Sequence, residues 1–139
     1  MSGIETDLFL PQQPEQVWMA LTDPALLAKW LMPNDFAPIV GHHFTFTTEP
    51  VPLQHFDGII KCEVLALEPT SLLAISWKGG NLDSTVTWRL AQEGTGTRLY
   101  LRHDGFDDSD PTQVATKNIL GGGWKGHLAK RLEQTLATL

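Results

Sequence analysis

Cysteine is almost absent from this 139-residue sequence, where Cys62 stands alone. An intramolecular disulfide is therefore excluded, as is any zinc cluster built on several cysteines. The lack of disulfides fits a reducing cytoplasm, where the chain is expected to work. Basic charge is also scarce. Ten lysines and arginines stand against sixteen aspartates and glutamates, for a net charge of −6. A phosphate backbone or an anionic membrane calls for a basic face, so neither is expected as the main partner. Lys125, Lys130 and Arg131 gather near the C-terminus and read as the solvated side of a helix. No apolar run approaches the length of a membrane span, so no membrane insertion is expected. Met1 to Leu10 carries Glu5 and Asp7 with no basic stretch, unlike a secretory signal. What is present is globular in kind: 42% hydrophobic and 19% charged residues, at a length that fits one domain over residues 1–139.

Apolar periodicity orders the chain. Ile4 to Leu10 alternates as a half-buried strand. Pro14 suits the first turn of a short helix with Val17, Trp18 and Leu21 on its apolar side. Asp23 followed by Pro24 reads as an N-cap and first helical position, with Leu26, Leu27 and Trp30 behind it. From Gly41 the period becomes two. Strands are expected at 43–47, 58–67, 72–77, 84–90 and 97–103, separated by turn chemistry such as Glu68-Pro69, Gly79-Gly80-Asn81 and Gly94-Thr95-Gly96. The short connections imply an antiparallel meander. After the acidic cluster Asp107-Asp108-Ser109-Asp110, one helical pattern runs from about Pro111 to the end. Trp124, Leu128, Leu132 and Leu136 form its stripe. The expected architecture is α+β, with a curved antiparallel sheet of about six strands and two short helices after the first. A long C-terminal helix lies over the sheet and leaves an apolar space between them.

Several motifs carry a resemblance. Pro11 to Pro24 with Leu27-Ala28-Lys29-Trp30, then Phe56-Asp57-Gly58, Ser76-Trp77, Thr85-Val86-Thr87-Trp88, Gly96-Thr97-Arg98-Leu99 and Gly123-Trp124 follow in order along nearly the whole chain. Together they resemble the activator of heat-shock-protein-90 ATPase-like family. That resemblance implies the helix-grip fold of the START-like, birch-pollen-allergen-like (SRPBCC) superfamily. The superfamily spans lipid and steroid carriers, hormone receptors, polyketide cyclases and chaperone activators, so fold does not fix function. A bound lipid- or polyketide-like molecule is the leading implication. A cyclase- or hydrolase-type enzyme and a chaperone-regulating module are the alternatives.

Candidate site residues follow from strand and helix faces. Trp30, Phe44, Phe46, Trp77, Trp88 and Trp124 fall on inward or element-end positions. Ile60, Cys62, Leu101, His103 and Leu128 share those faces. Cys62 reads as a small buried hydrophobe rather than a nucleophile. His103, inward with Leu99 and Leu101, is the group on that lining that could titrate near neutral pH, and either contacts a ligand or bonds locally. Ser76 and Ser84 have no evident base, so no catalytic residue is named; in an enzyme His103 would be the acid or base. His42, His43, His55 and His127 match no metal-ligand spacing, and neither metal nor cofactor is expected. Gly121-Gly122-Gly123 is costly inside a helical pattern, and reads as a bend, a close approach or a gate.

Overall fold

A computed structural model of the chain describes residues 2–51 and 56–139. The alternating first segment forms β1 (Ser2–Leu10), followed by α1 (Pro14–Thr22) and α2 (Pro24–Trp30). Asp23 caps α2, its carboxylate accepting from the Ala25 and Leu26 amides at 2.9 and 3.4 Å. The two helices are tied by the Trp30 indole N–H, which donates to the Ala20 carbonyl at 2.8 Å. The meander is β2 (His43–Thr47), β3 (Ile59–Glu68), β4 (Leu72–Gly79), β5 (Leu82–Glu93) and β6 (Gly96–Phe106). All neighbours are antiparallel, and the sheet order is β1-β6-β5-β4-β3-β2. The α1–α2 excursion therefore carries the chain from one edge of the sheet to the other. Gly80, at φ +57, makes the tight β4–β5 turn that the Gly79-Gly80-Asn81 sequence announces.

Alternation sorts the sheet's two faces. Ile60, Cys62 and Val64, then Leu73, Ile75 and Trp77, then Val86, Trp88 and Leu90, then Leu99, Leu101 and His103 are all buried on one side. The opposite face carries ion pairs, with Arg98 on Asp7 and Glu93, and Arg102 on Glu5 and Asp104. The result is the α+β helix-grip architecture, a curved six-stranded antiparallel sheet gripped by C-terminal helix.

That C-terminal stretch differs from a single helix. It consists of α3 (Pro111–Lys125) and α4 (His127–Ala137), interrupted at Gly126. Asp110 caps α3 through the Thr112 and Gln113 amides at 2.9 and 3.4 Å. Of the three readings of Gly121-Gly122-Gly123, the bend is not realised, because α3 passes through all three. The interruption falls at Gly126, whose amide reaches back to the Gly122 carbonyl at 2.9 Å. A Cβ at Gly126 would lie 2.7 Å from that carbonyl oxygen, so only glycine lets the two helices meet so tightly. α3 contacts β1 and β6, whereas α4 contacts α1 and α2. The Trp124, Leu128, Leu132 and Leu136 stripe stays buried across the break.

Candidate functional site

Between sheet and helices lies a cavity of about 440 Å³. Its floor is apolar and buried: Leu31 from the end of α2, Ile60 from β3, Trp77 from β4, Leu82 from β5, Trp124 from α3 and Leu128 from α4. Gly123 lines it too, where a Cβ would come no closer than 3.4 Å to the His127 ring. Met32, Val51, Phe56, Ile119 and Leu120 surround the mouth, and Ile119 is 63% exposed. Polar groups at the rim come from Glu49, Asn81, Thr116, His127 and Arg131. A smaller cavity of about 70 Å³ lies on the β1 side, bordered by Trp30, Trp88, Leu99 and Leu101. Trp124 and Leu128 border both.

The eleven residues singled out from the sequence are all buried, but they divide. Ile60, Trp77, Trp124 and Leu128 line the large cavity, and Trp30, Trp88 and Leu101 line the small one. Phe44, Phe46, Cys62 and His103 border neither and lie behind the walls. Phe44 and Phe46 belong to an aromatic row running from Phe36 to Trp77, with ring centroids 5.1, 5.4 and 5.5 Å apart. Trp77 continues the row to Trp124 at 5.7 Å. That row stiffens the cavity wall from behind through edge-to-face and tilted contacts. Burial, and then the nearby Asp35 carboxylate, push the Cys62 thiol up to about 12, which leaves it without thiolate character.

His103 is wholly buried and fully bonded. Trp124 donates its indole N–H to His103 Nδ1 at 3.1 Å. An indole nitrogen can only donate, so Nδ1 carries no proton and the imidazole is the Nε2–H tautomer. Nε2–H then donates to Ser84 Oγ at 2.8 Å, and the Ser84 hydroxyl donates to the Trp77 carbonyl at 2.8 Å. The chain of donors thus runs Trp124, His103, Ser84, Trp77 backbone, with every proton assigned. Burial lowers the His103 pKa to about 4, against a smaller upward pull from Asp104.

Ser84 does have a histidine beside it, contrary to the expectation that neither Ser76 nor Ser84 has a base. The pair cannot act as nucleophile and base in this arrangement. Nε2 already holds the proton that a base must be free to take, and the serine proton is committed to a carbonyl. The sequence signal was available: Ser84 shares the inward parity of Val86 and Trp88, and Val86 pairs directly with His103. Ser76 faces the other way and accepts from the Glu63 amide.

The remaining histidines lie apart. His42 Nε2 contacts the Asp35 carbonyl at 3.0 Å, His43 is 3.6 Å from Glu63, and His127 stands at the cavity rim. His55 lies outside the described residues. Among the described residues no three His, Cys, Asp or Glu side chains come together as a metal site. No helix among them is long and apolar enough to cross a membrane.

Comparison with known proteins gives this geometry its context. A search of curated proteins finds no match. The crystal structure of protein MLL2253 from Mesorhizobium loti is similar over 99% of this chain and 98% of its own, with 34% identity and a TM-score of 0.87. DynU16, a protein of the dynemicin biosynthetic locus, is similar over 99% of this chain and 48% of its own, at 21% identity and a TM-score of 0.79. The Aha1 dimer from Colwellia psychrerythraea is similar over 96% of this chain and 97% of its own, at 19% identity and a TM-score of 0.72. The last two likenesses concern the fold alone. The family model for activator of Hsp90 ATPase homolog 1-like protein matches residues 11–137, and the chain belongs to that family.

Proposed function

We propose that this protein binds a small apolar molecule, lipid- or polyketide-like, in the cavity between the sheet and the C-terminal helices. The observation that carries the reading is the cavity itself. At about 440 Å³ it has the size of a small-molecule site, an apolar floor and a few polar groups confined to its rim. An open apolar space of that size is costly to keep unless something fills it, since its lining forgoes dispersion contacts. DynU16, which shares this fold, belongs to a biosynthetic locus, and a lipid- or polyketide-like ligand would suit such a setting. The fully bonded His103 weighs against the enzyme alternative that would have used it as acid or base. The one cysteine, buried and unpaired, suits work in a reducing cytoplasm.

The test is to extract and identify, by mass spectrometry, the organic molecules retained by protein purified under native conditions. A Leu120→Trp variant, which fills the mouth, serves as the comparison. The reading expects an apolar molecule held by the native chain and lost from the variant. A native protein that retains nothing, and that binds no apolar probe on titration, contradicts it.

A further inference from the structure

The mouth of the large cavity carries one positive charge without a counter-charge. Of the chain's ten lysines and arginines, Arg131 alone is on the described lining of that cavity, and residues 52–55 include none of the ten. Among the described residues no carboxylate forms an ion pair with Arg131. Met1 and residues 52–55, which lie outside that set, contain no Asp or Glu. Glu49 stands on the same rim and is not paired with Arg131 either.

Helical spacing places this charge. Arg131 follows His127 by four residues, so the two are neighbours on one face of α4. Both are exposed at the mouth, whereas Leu128, beside His127 in sequence, is part of the buried floor. The His127 ring lies back along the helix, 3.4 Å from where a Cβ on Gly123 would sit. One side of α4 thus passes from apolar depth to a charged lip. A ligand that matches it is amphipathic. Its hydrocarbon body takes the floor, and its polar end stays at the mouth, where no charge has to be buried. A guanidinium suits a planar carboxylate, which it can hold through two parallel N–H···O bonds. A cationic end would meet Arg131 as a like charge. The chain's net charge of −6 does little to oppose an anion there, because exposed charges more than about 8 Å away are largely screened at physiological ionic strength.

We propose that the ligand is an amphipathic monocarboxylate, resembling a fatty acid or a polyketide acid, whose carboxylate pairs with Arg131 at the cavity mouth. This rests on the reading of the cavity as a binding site. Arg131 orients the ligand, and Ile60, Trp77 and Leu128 supply the apolar contact.

The test titrates naphthoate and ethylnaphthalene into the native chain, Arg131→Gln and Lys130→Gln. Both positions are exposed on α4 and both substitutions remove one positive charge, but Lys130 borders neither cavity. The quantity read in each chain is the ratio of the two affinities, which cancels the shared naphthalene contact. Arg131→Gln is expected to lower naphthoate affinity relative to ethylnaphthalene about fivefold, the factor that ~1 kcal/mol represents. Lys130→Gln is expected to keep the native ratio. Added salt should move the native ratio towards that of Arg131→Gln. The same ratio in the native and Arg131→Gln chains, with both probes bound, overturns the carboxylate assignment and leaves the cavity reading standing. Equal changes in the two variants also overturn it, because the effect is then one of net charge. Tighter binding of naphthylmethylammonium than of naphthoate to the native chain overturns it too, and places the polar end at Glu49. Failure of every probe to bind overturns both readings.

Discussion

Acidification from neutrality to about pH 4 should cost the folded state about 3 kcal/mol through His103 alone. Above about pH 6.5 its imidazole is neutral in the folded and unfolded chains alike. As the pH falls from there towards about 4, the unfolded chain takes up a proton that the folded chain refuses, so stability declines. Below the folded pKa both forms are protonated and the loss levels off. Each pH unit across that window is worth about 1.4 kcal/mol, so the loss has reached roughly 2 kcal/mol near pH 5. The side chain is wholly buried, and solvent does little to screen the effect. Carboxylates also titrate in this range, so the informative quantity is a difference. Urea unfolding of the native chain and of His103→Gln is measured at several pH values between about 4 and 7, a range that runs from the folded pKa to above the unfolded one. The native chain should lose stability more steeply by the stated amount. Parallel curves, or an NMR titration that places the His103 midpoint near 6.5, would refute the buried, neutral, Nε2–H assignment.

Other expectations concern the elements that shape the site. Gly122→Ala meets open space on an exposed helical turn and should stabilise the fold by about 0.5–1 kcal/mol, whereas Gly126→Ala should destabilise it because its Cβ would press on the Gly122 carbonyl; thermal unfolding of the two variants separates them. Trp124→Phe keeps an aromatic ring but loses the indole's second ring and with it the donor to His103 Nδ1. It should cost about 1–3 kcal/mol in denaturant unfolding and raise the histidine's pKa by exposing the lone pair to a new proton. Leu132→Ala removes a buried side chain at the centre of the α4 stripe, for about 2–5 kcal/mol in the same assay.

The strands and their faces were readable because alternation writes burial directly into sequence. Ile60, Cys62 and Val64, or Val86, Trp88 and Leu90, need no tertiary information to be placed inward. The cap at Asp23 was readable for a similarly local reason, with a proline at the first helical position, and the acidic cluster before Pro111 marked a helix start whose cap the structure places at Asp110. The break at Gly126 was not. The stripe from Trp124 to Leu136 keeps its four-residue spacing across it, and three costlier-looking glycines stand just upstream.

The bonding of His103 needs the β5–β6 register and the docking of α3 together, and only the first can be guessed from parity. The cavity mouth was the least legible part. Met32, Val51, Phe56, Ile119 and Arg131 come from loops and from two helices, and no periodicity links them. Residues such as Phe44 and Phe46 share the inward face of the lining yet sit one layer behind it, because a face says which side is buried and not what lies against it.

The central claim is that the space between sheet and helices takes an apolar molecule. The most direct measurement is the set of indole N–H signals of the five tryptophans while ethylnaphthalene is titrated in. The account predicts saturable shifts at Trp77 and Trp124, which line the large cavity, and none at Trp18, which borders neither cavity. Signals that stay fixed throughout, or shifts confined to Trp18, would contradict it.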